Sequence, residues 1–114
     1  MSNARQRRGK KTEHVVAEYL KQRGWPFALA VGSGRGGTDI TGTPDIAPEV
    51  KARGDFNPVG WLKQAEKNAD GRLPFAVYRP NGVGERPDRY LAILRLADLV
   101  ELLRTSGYGD GKDR

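Results

Sequence analysis

Glu49 and Lys51 flank Val50 in the run "APEVK". Alternate side chains on a strand share a face. That spacing sets a carboxylate beside an ammonium and turns Val50 the other way, toward the core. Such a pair can be a plain ion pair. It can also be a metal ligand next to a group that stabilises charge on a phosphate. Phosphodiester cleavage uses both parts: Mg²⁺ held by carboxylates, and a positive group near the attacking water or the scissile phosphate. One carboxylate holds a divalent ion poorly, so a partner acid is needed. Asp45 is close in sequence, but an extended chain carries it roughly 13 Å from Glu49, and in "GTPD" it reads as a turn residue. Asp39 precedes that turn. In a hairpin centred on "GTPD", residues 39 and 49 come opposite each other, with Cβ atoms about 4.5–5.5 Å apart. Asp39 is the expected partner of Glu49.

A third acid comes from the first helix. At about 100° per residue, Val15, Val16, Ala17, Tyr19 and Leu20 define an apolar arc. Glu13 falls inside it, while Glu18 lies opposite with His14, Lys21 and Gln22. A carboxylate on a buried stripe is costly unless it is paired or binds metal. Periodicity alone leaves Glu13 balanced between that role and a partly solvated residue favoured by the helix dipole. Other features carry less chemistry. "GSGRGG" (32–37) lacks the Gly-Lys-Ser/Thr ending of a P-loop, so no nucleotide cofactor is expected. It reads as a flexible loop that sets Ser33 and Arg35 near DNA. With one histidine and no cysteine, a Ser–His–Asp triad or a zinc site has little support. Gln64 and Lys67 read as exposed helix positions, and Trp61 and Leu62 as core or subunit contacts.

The elements that must position these groups follow from local signals. A helix is expected over about 10–22, ending at Gly24 with Pro26 beyond it. "PFALAV" (26–31), "TDIT" (38–41) and "IAPEVKA" (46–52) read as strands, the last two joined by "GTPD". Pro48 removes a ladder donor from the third of these. A helix over 57–69 has Asn57 as its N-cap and Pro58 at its first position. "PFAVYR" (74–79) and "RYLAILRL" (89–96) are two more strands. "ADLVELLRTSG" (97–107) is a closing amphipathic helix whose face of Leu99, Val100, Leu102 and Leu103 needs a partner, either the sheet or a second subunit. The order α-β-β-β-α-β-β-α predicts an α/β fold: a small mixed sheet flanked by helices, compatible with a restriction-endonuclease-like core. Residues 1–107 are expected to form one domain with a basic arm over 1–11, and 108–114 a disordered tail.

The 114-residue chain carries a net charge of +6 and a sequence pI of about 9.9. Part of that charge is concentrated in Arg5, Arg7, Arg8, Lys10 and Lys11. Lys and Arg displace counterions from phosphates, so this balance modestly favours a polyanion partner over a solvated tail. The cluster has no apolar partners of a membrane anchor, and no apolar run follows the basic N-terminus as in a secretory signal. No membrane partner is expected, and a cytoplasmic location is the default.

The ordered set Gly9-Lys10-Lys11-Thr12-Glu13, then Asp39, then Glu49-Val50-Lys51 resembles the PD-(D/E)xK nuclease superfamily. Within it the chain is similar to the Holliday junction resolvases of archaea and of actinobacterial phages. The likeness extends to "GWPFA", "DITGTP", "GWLKQAE", "GVG" and "LADLVELLR", and so covers nearly the whole chain apart from the tail. Glu-x-Lys alone is common by chance. The full set on these elements is considerably more specific. The resemblance implies a Mg²⁺-dependent endodeoxyribonuclease of DNA recombination and repair. Asp39 and Glu49 would bind Mg²⁺ (or Mn²⁺), with the Val50 carbonyl as a further ligand and Glu13 completing the site directly or through water. Lys51 would position or activate the water and stabilise charge on the phosphate, and Ser33 would be a phosphate contact or a secondary catalytic group. The partner would be branched DNA. A homodimer would be needed, because resolving a four-way junction takes two nicks on opposed strands. Two other readings remain: a nuclease of the same fold acting on linear or flapped DNA, and a non-catalytic basic DNA-binding module.

Overall fold

The computed structural model describes residues 4–31, 39–52 and 54–109, with side chains from residue 7 onward. It is an α/β fold of three helices and two small sheets. Helix α1 spans Ala4–Lys21, β1 Leu29–Ala30, β2 Ile40–Thr41, β3 Ile46–Lys51, α2 Pro58–Lys67, β4 Leu73–Tyr78, β5 Leu91–Ile93 and α3 Leu96–Thr105, with a 3₁₀ turn at Pro87–Arg89. No described helix is long and apolar enough to cross a membrane.

Three helical signals in the sequence act as expected. The Asn57 side chain accepts from the Gly60 N–H at 3.1 Å, and Pro58 opens α2. Gly24 past α1 has φ of +120°, a conformation glycine adopts without strain. Gly107 past α3 has φ of +92°. There the Tyr108 N–H donates to the Leu103 carbonyl and the Gly107 N–H to the Arg104 carbonyl, a Schellman closure. Tyr108 is therefore tied to the helix end, not part of a loose tail. The first helix also starts earlier than expected, because the basic stretch from Ala4 continues it.

The sheet expected as one splits into two. β1 pairs antiparallel with β2, Ala30 opposite Ile40. β3, β4 and β5 form a separate sheet in that order, β3–β4 parallel and β4–β5 antiparallel. Parallel strands need a crossover, which α2 supplies. Among the described residues the expected hairpin ladder between 39–41 and 46–52 is absent; the Asp39 carboxylate takes the Val50 N–H where a backbone carbonyl of that ladder would. "GTPD" closes on itself: Ile46 N–H donates to the Thr43 carbonyl, and buried Thr43 donates its hydroxyl to the Ile46 carbonyl.

β3 is an edge strand whose parity matters. The Leu73 N–H donates to the Asp45 carbonyl and the Arg79 N–H to the Lys51 carbonyl. Odd positions of β3 thus face β4, and 46, 48 and 50 face the open edge. Pro48 lies on that edge, so its missing N–H costs the ladder nothing.

One core joins the layers. Val16 and Ala17 of α1, Ala28, Ile40 and Val50 are buried together, with Leu20, Trp25, Val77 and Tyr90 packed around them. On the other face, buried Trp61 of α2 stacks on Tyr78 of β4, and Phe56 meets both rings edge-on. The small Ala47 and Ala76 are fully buried on β3 and β4.

Candidate active site

Glu49 lies on the buried strand β3 and its side chain is only 2% exposed. Its Oε2 stands 3.4 Å from Lys51 Nζ, so the alternation on β3 places the pair on one face as read from the sequence. Lys51 Nζ also donates to Gln64 Oε1 of α2 at 3.3 Å. Gln64 is exposed as expected, but it is not idle: its Oε1 accepts from the lysine that also pairs with Glu49.

Asp39 reaches the same place by an unexpected route. It does not face Glu49 across a ladder. Its Oδ2 accepts the Val50 N–H at 2.8 Å, on the open edge of β3. The carboxylate thus fills the position that a paired strand's carbonyl would occupy. By the parity of β3, the Val50 carbonyl faces that edge as well.

Glu13 projects from α1 and is 9% exposed, with Val16 and Ala17 buried on the same stripe. Its Oε1 is buried without a hydrogen-bond partner, and so is Oε1 of Glu49. The electrostatics confirm that the three acids are neighbours. Burial pushes Glu13 up to about 7, helped by the negative charges of Asp39 and Glu49 and opposed by Lys51 and Lys10. Burial also pushes Glu49 up to about 7, helped by Asp39 and opposed by Lys51. Asp39 is raised by burial, against the pull of the Val50 N–H and Lys51. The charge of Asp39 is one of the causes that raise Glu49.

These groups suit a hard divalent cation. All donors are oxygens, the preferred ligands of Mg²⁺. Two carboxylate oxygens are buried and unpartnered, which is costly unless a ligand completes them. Among the described residues no three acidic or histidine side chains are grouped closely enough to hold a metal as they stand.

The other expected residues divide clearly. Asp45 is outside the site; its Oδ1 accepts from Trp25 Nε1 at 2.8 Å, and it has a turn role. Glu18 is exposed and pairs with Lys21. Arg7, Lys10 and Lys11 are exposed on α1, with Lys11 paired to Glu85 at 3.3 Å. Arg8 is half-buried and donates Nε to the Ala52 carbonyl. The side chain of Arg5, and all of Ser33 and Arg35, lie outside the described residues. Sequence reasoning missed Thr12, fully buried beside Glu13, and Arg79, whose Nη1 donates to Thr12 Oγ1 at 2.9 Å. A threonine next to a candidate ligand was the available signal for Thr12. Comparison with protein-family models, curated proteins and solved structures finds no match for this chain.

Proposed function

We propose that this chain is a Mg²⁺-dependent endodeoxyribonuclease with a restriction-endonuclease-like core, which resolves four-way (Holliday) junctions as a homodimer. The observation that carries the reading is the gathering of Glu13, Asp39 and Glu49 beside Lys51, with one oxygen of each glutamate buried and unpartnered. A structural ion pair would need neither the third acid nor the vacant oxygens.

In this reading Asp39, Glu49 and the Val50 carbonyl hold the cation, and Glu13 completes the set directly or through water. When bound, Mg²⁺ or Mn²⁺ supplies Lewis-acid polarisation of the phosphate and acidifies a coordinated water. Lys51 donates to the developing charge on the phosphate. Glu49 and Gln64 keep its ammonium aimed, so little reorganisation is needed when that charge appears. The exposed basic side chains of α1 and the net charge of +6 draw the polyanion in. Selectivity for branched DNA would come from the spacing of two such sites in a dimer.

The test is a gel assay on a four-way junction with a matched linear duplex, in Mg²⁺ and in EDTA. Paired nicks on the junction, absent in EDTA, are expected. Equal cutting of the linear duplex would favour a general nuclease of the same fold, and binding without cutting in any divalent metal would favour a DNA-binding module.

A further inference from the structure

Arg79 follows β4 and belongs to none of the groups assigned above. Its N–H donates to the Lys51 carbonyl, which fixes it beside the end of β3. Its Nη1 donates to the Thr12 hydroxyl, while Nε is buried with no hydrogen-bond partner. Arg8 lies one turn before Thr12 on α1 and reaches the same end of β3, donating Nε to the carbonyl of Ala52 at 3.1 Å. Thr12 joins the two, since its hydroxyl also donates to the Arg8 carbonyl at 2.8 Å. Both guanidinium groups lie within electrostatic reach of Tyr90, whose phenol burial raises against their opposing charges. Among the described residues neither forms an ion pair with a carboxylate. The acid on that side, Glu85, is taken by Lys11.

Two cations held together without a counter-charge repel each other, and a buried N–H without an acceptor is costly. An anion with several oxygens relieves both. Guanidinium forks match phosphate oxygens in pairs. Arg79 is held by one neutral hydroxyl, so its Nε–Nη2 edge can turn onto a ligand without breaking an ion pair. We infer that Arg8 and Arg79 form a phosphate subsite beside the carboxylate centre, which takes a backbone phosphate neighbouring the one that is cut. The inference rests on the nuclease reading for the identity of the polyanion. It adds Arg79 as a binding residue and gives Arg8 a defined ligand in place of a general attraction.

Anisotropy binding of a fluorescent four-way junction in EDTA, over a salt series, tests it without turnover. Each lost phosphate contact lowers the slope of log affinity against log salt by about 0.9. A homodimer carries two such subsites, so Arg79→Gln should weaken binding several-fold and lower the slope by as much as about two, and Arg79→Lys should keep the slope. One uncharged methylphosphonate at a contacted position should weaken the wild type more than Arg79→Gln. An unchanged slope in a folded Arg79→Gln protein overturns the inference and leaves Arg79 as a strut between α1 and the sheet. Should Arg79→Gln fail to fold, Arg8→Gln reads the same slope: a clear drop supports the subsite, and no drop overturns it. A wild-type protein that binds the junction with no subsite effect sinks only the subsite. One that neither binds nor cuts DNA sinks the nuclease reading with it.

Discussion

Glu13 and Glu49 each keep a proton up to about pH 7, against an ordinary value of 4.5. Between those values the folded chain holds more protons than the unfolded chain. Stability without metal therefore falls as pH rises through that window, and the loss is complete above pH 7. Melting in EDTA should give a higher Tm at about pH 5.5 than at about pH 8, and the Glu13→Gln/Glu49→Gln protein should lose most of that difference. A cation binds the deprotonated carboxylates, so Mg²⁺ should raise Tm more at the higher pH, and cleavage should climb as pH passes 7. A pH-independent Tm in EDTA would count against the gathering of these acids. The two aspartates separate in a second experiment. Asp39→Asn should lower the cleavage rate by roughly 10²-fold or more at fixed Mg²⁺. Asp45→Asn keeps an oxygen for Trp25 and should cost less than about 1 kcal/mol in stability, with most activity retained. If Asp45→Asn is the dead variant, the site lies on the turn and not on the β3 edge. Glu49 and Lys51 share a face as strand alternation requires, and Glu13 lies on the stripe that helix period marks, because both are local rules; Asp39 was expected from a hairpin ladder and reaches β3 by its side chain instead. Arg79 was not, because its bond to Thr12 crosses 67 residues and depends on where α1 lies over the end of β4.

At the scale of elements, the sequence predicted the helices better than the strands. Caps and apolar stripes act within a few residues, so α2 and its Asn57 cap could be read directly. Strand partners are not written locally, and β2 chose β1 over β3. The expected turn nevertheless brings Asp39 to β3, through a side chain in place of a ladder. That route depends on Gly42, whose φ is +79° and where an added Cβ would overlap the Phe27 carbonyl. Gly42→Ala should therefore destabilise by about 1–3 kcal/mol from backbone strain, and more if Phe27 cannot yield. The variant should also weaken Mg²⁺-dependent cleavage, because the segment carrying Asp39 shifts with it. Denaturant melts together with cleavage rates at saturating Mg²⁺ check both effects. An Ala variant as stable as the wild type would mean that the turn adapts without strain.

At the scale of the whole molecule, α3 is the unfinished part. None of its residues is buried, and Leu96, Leu99, Val100, Leu102 and Leu103 are all exposed. The sheet does not cover this face, and the proposed homodimer would cover it with a second copy. The bidentate pair from Arg95 to Glu66, at 2.7 and 3.0 Å, anchors the start of the helix while leaving its apolar side outward. Leu102→Glu should shift the protein toward monomer in sedimentation, raising the dimer Kd at least about tenfold, since a charge would enter an apolar contact. Single nicks should survive in that variant while paired cutting of a junction falls. An unchanged dimer would place the contact elsewhere. A chain that pairs as proposed and also exposes a strand edge would face a separate hazard, because one strand can recruit another without limit. On β3 that edge has no free N–H to donate: the Ile46 N–H is taken by Thr43, Pro48 has none, and the Val50 N–H is taken by Asp39. The same three positions that leave the edge open to a ligand close it to fibril growth.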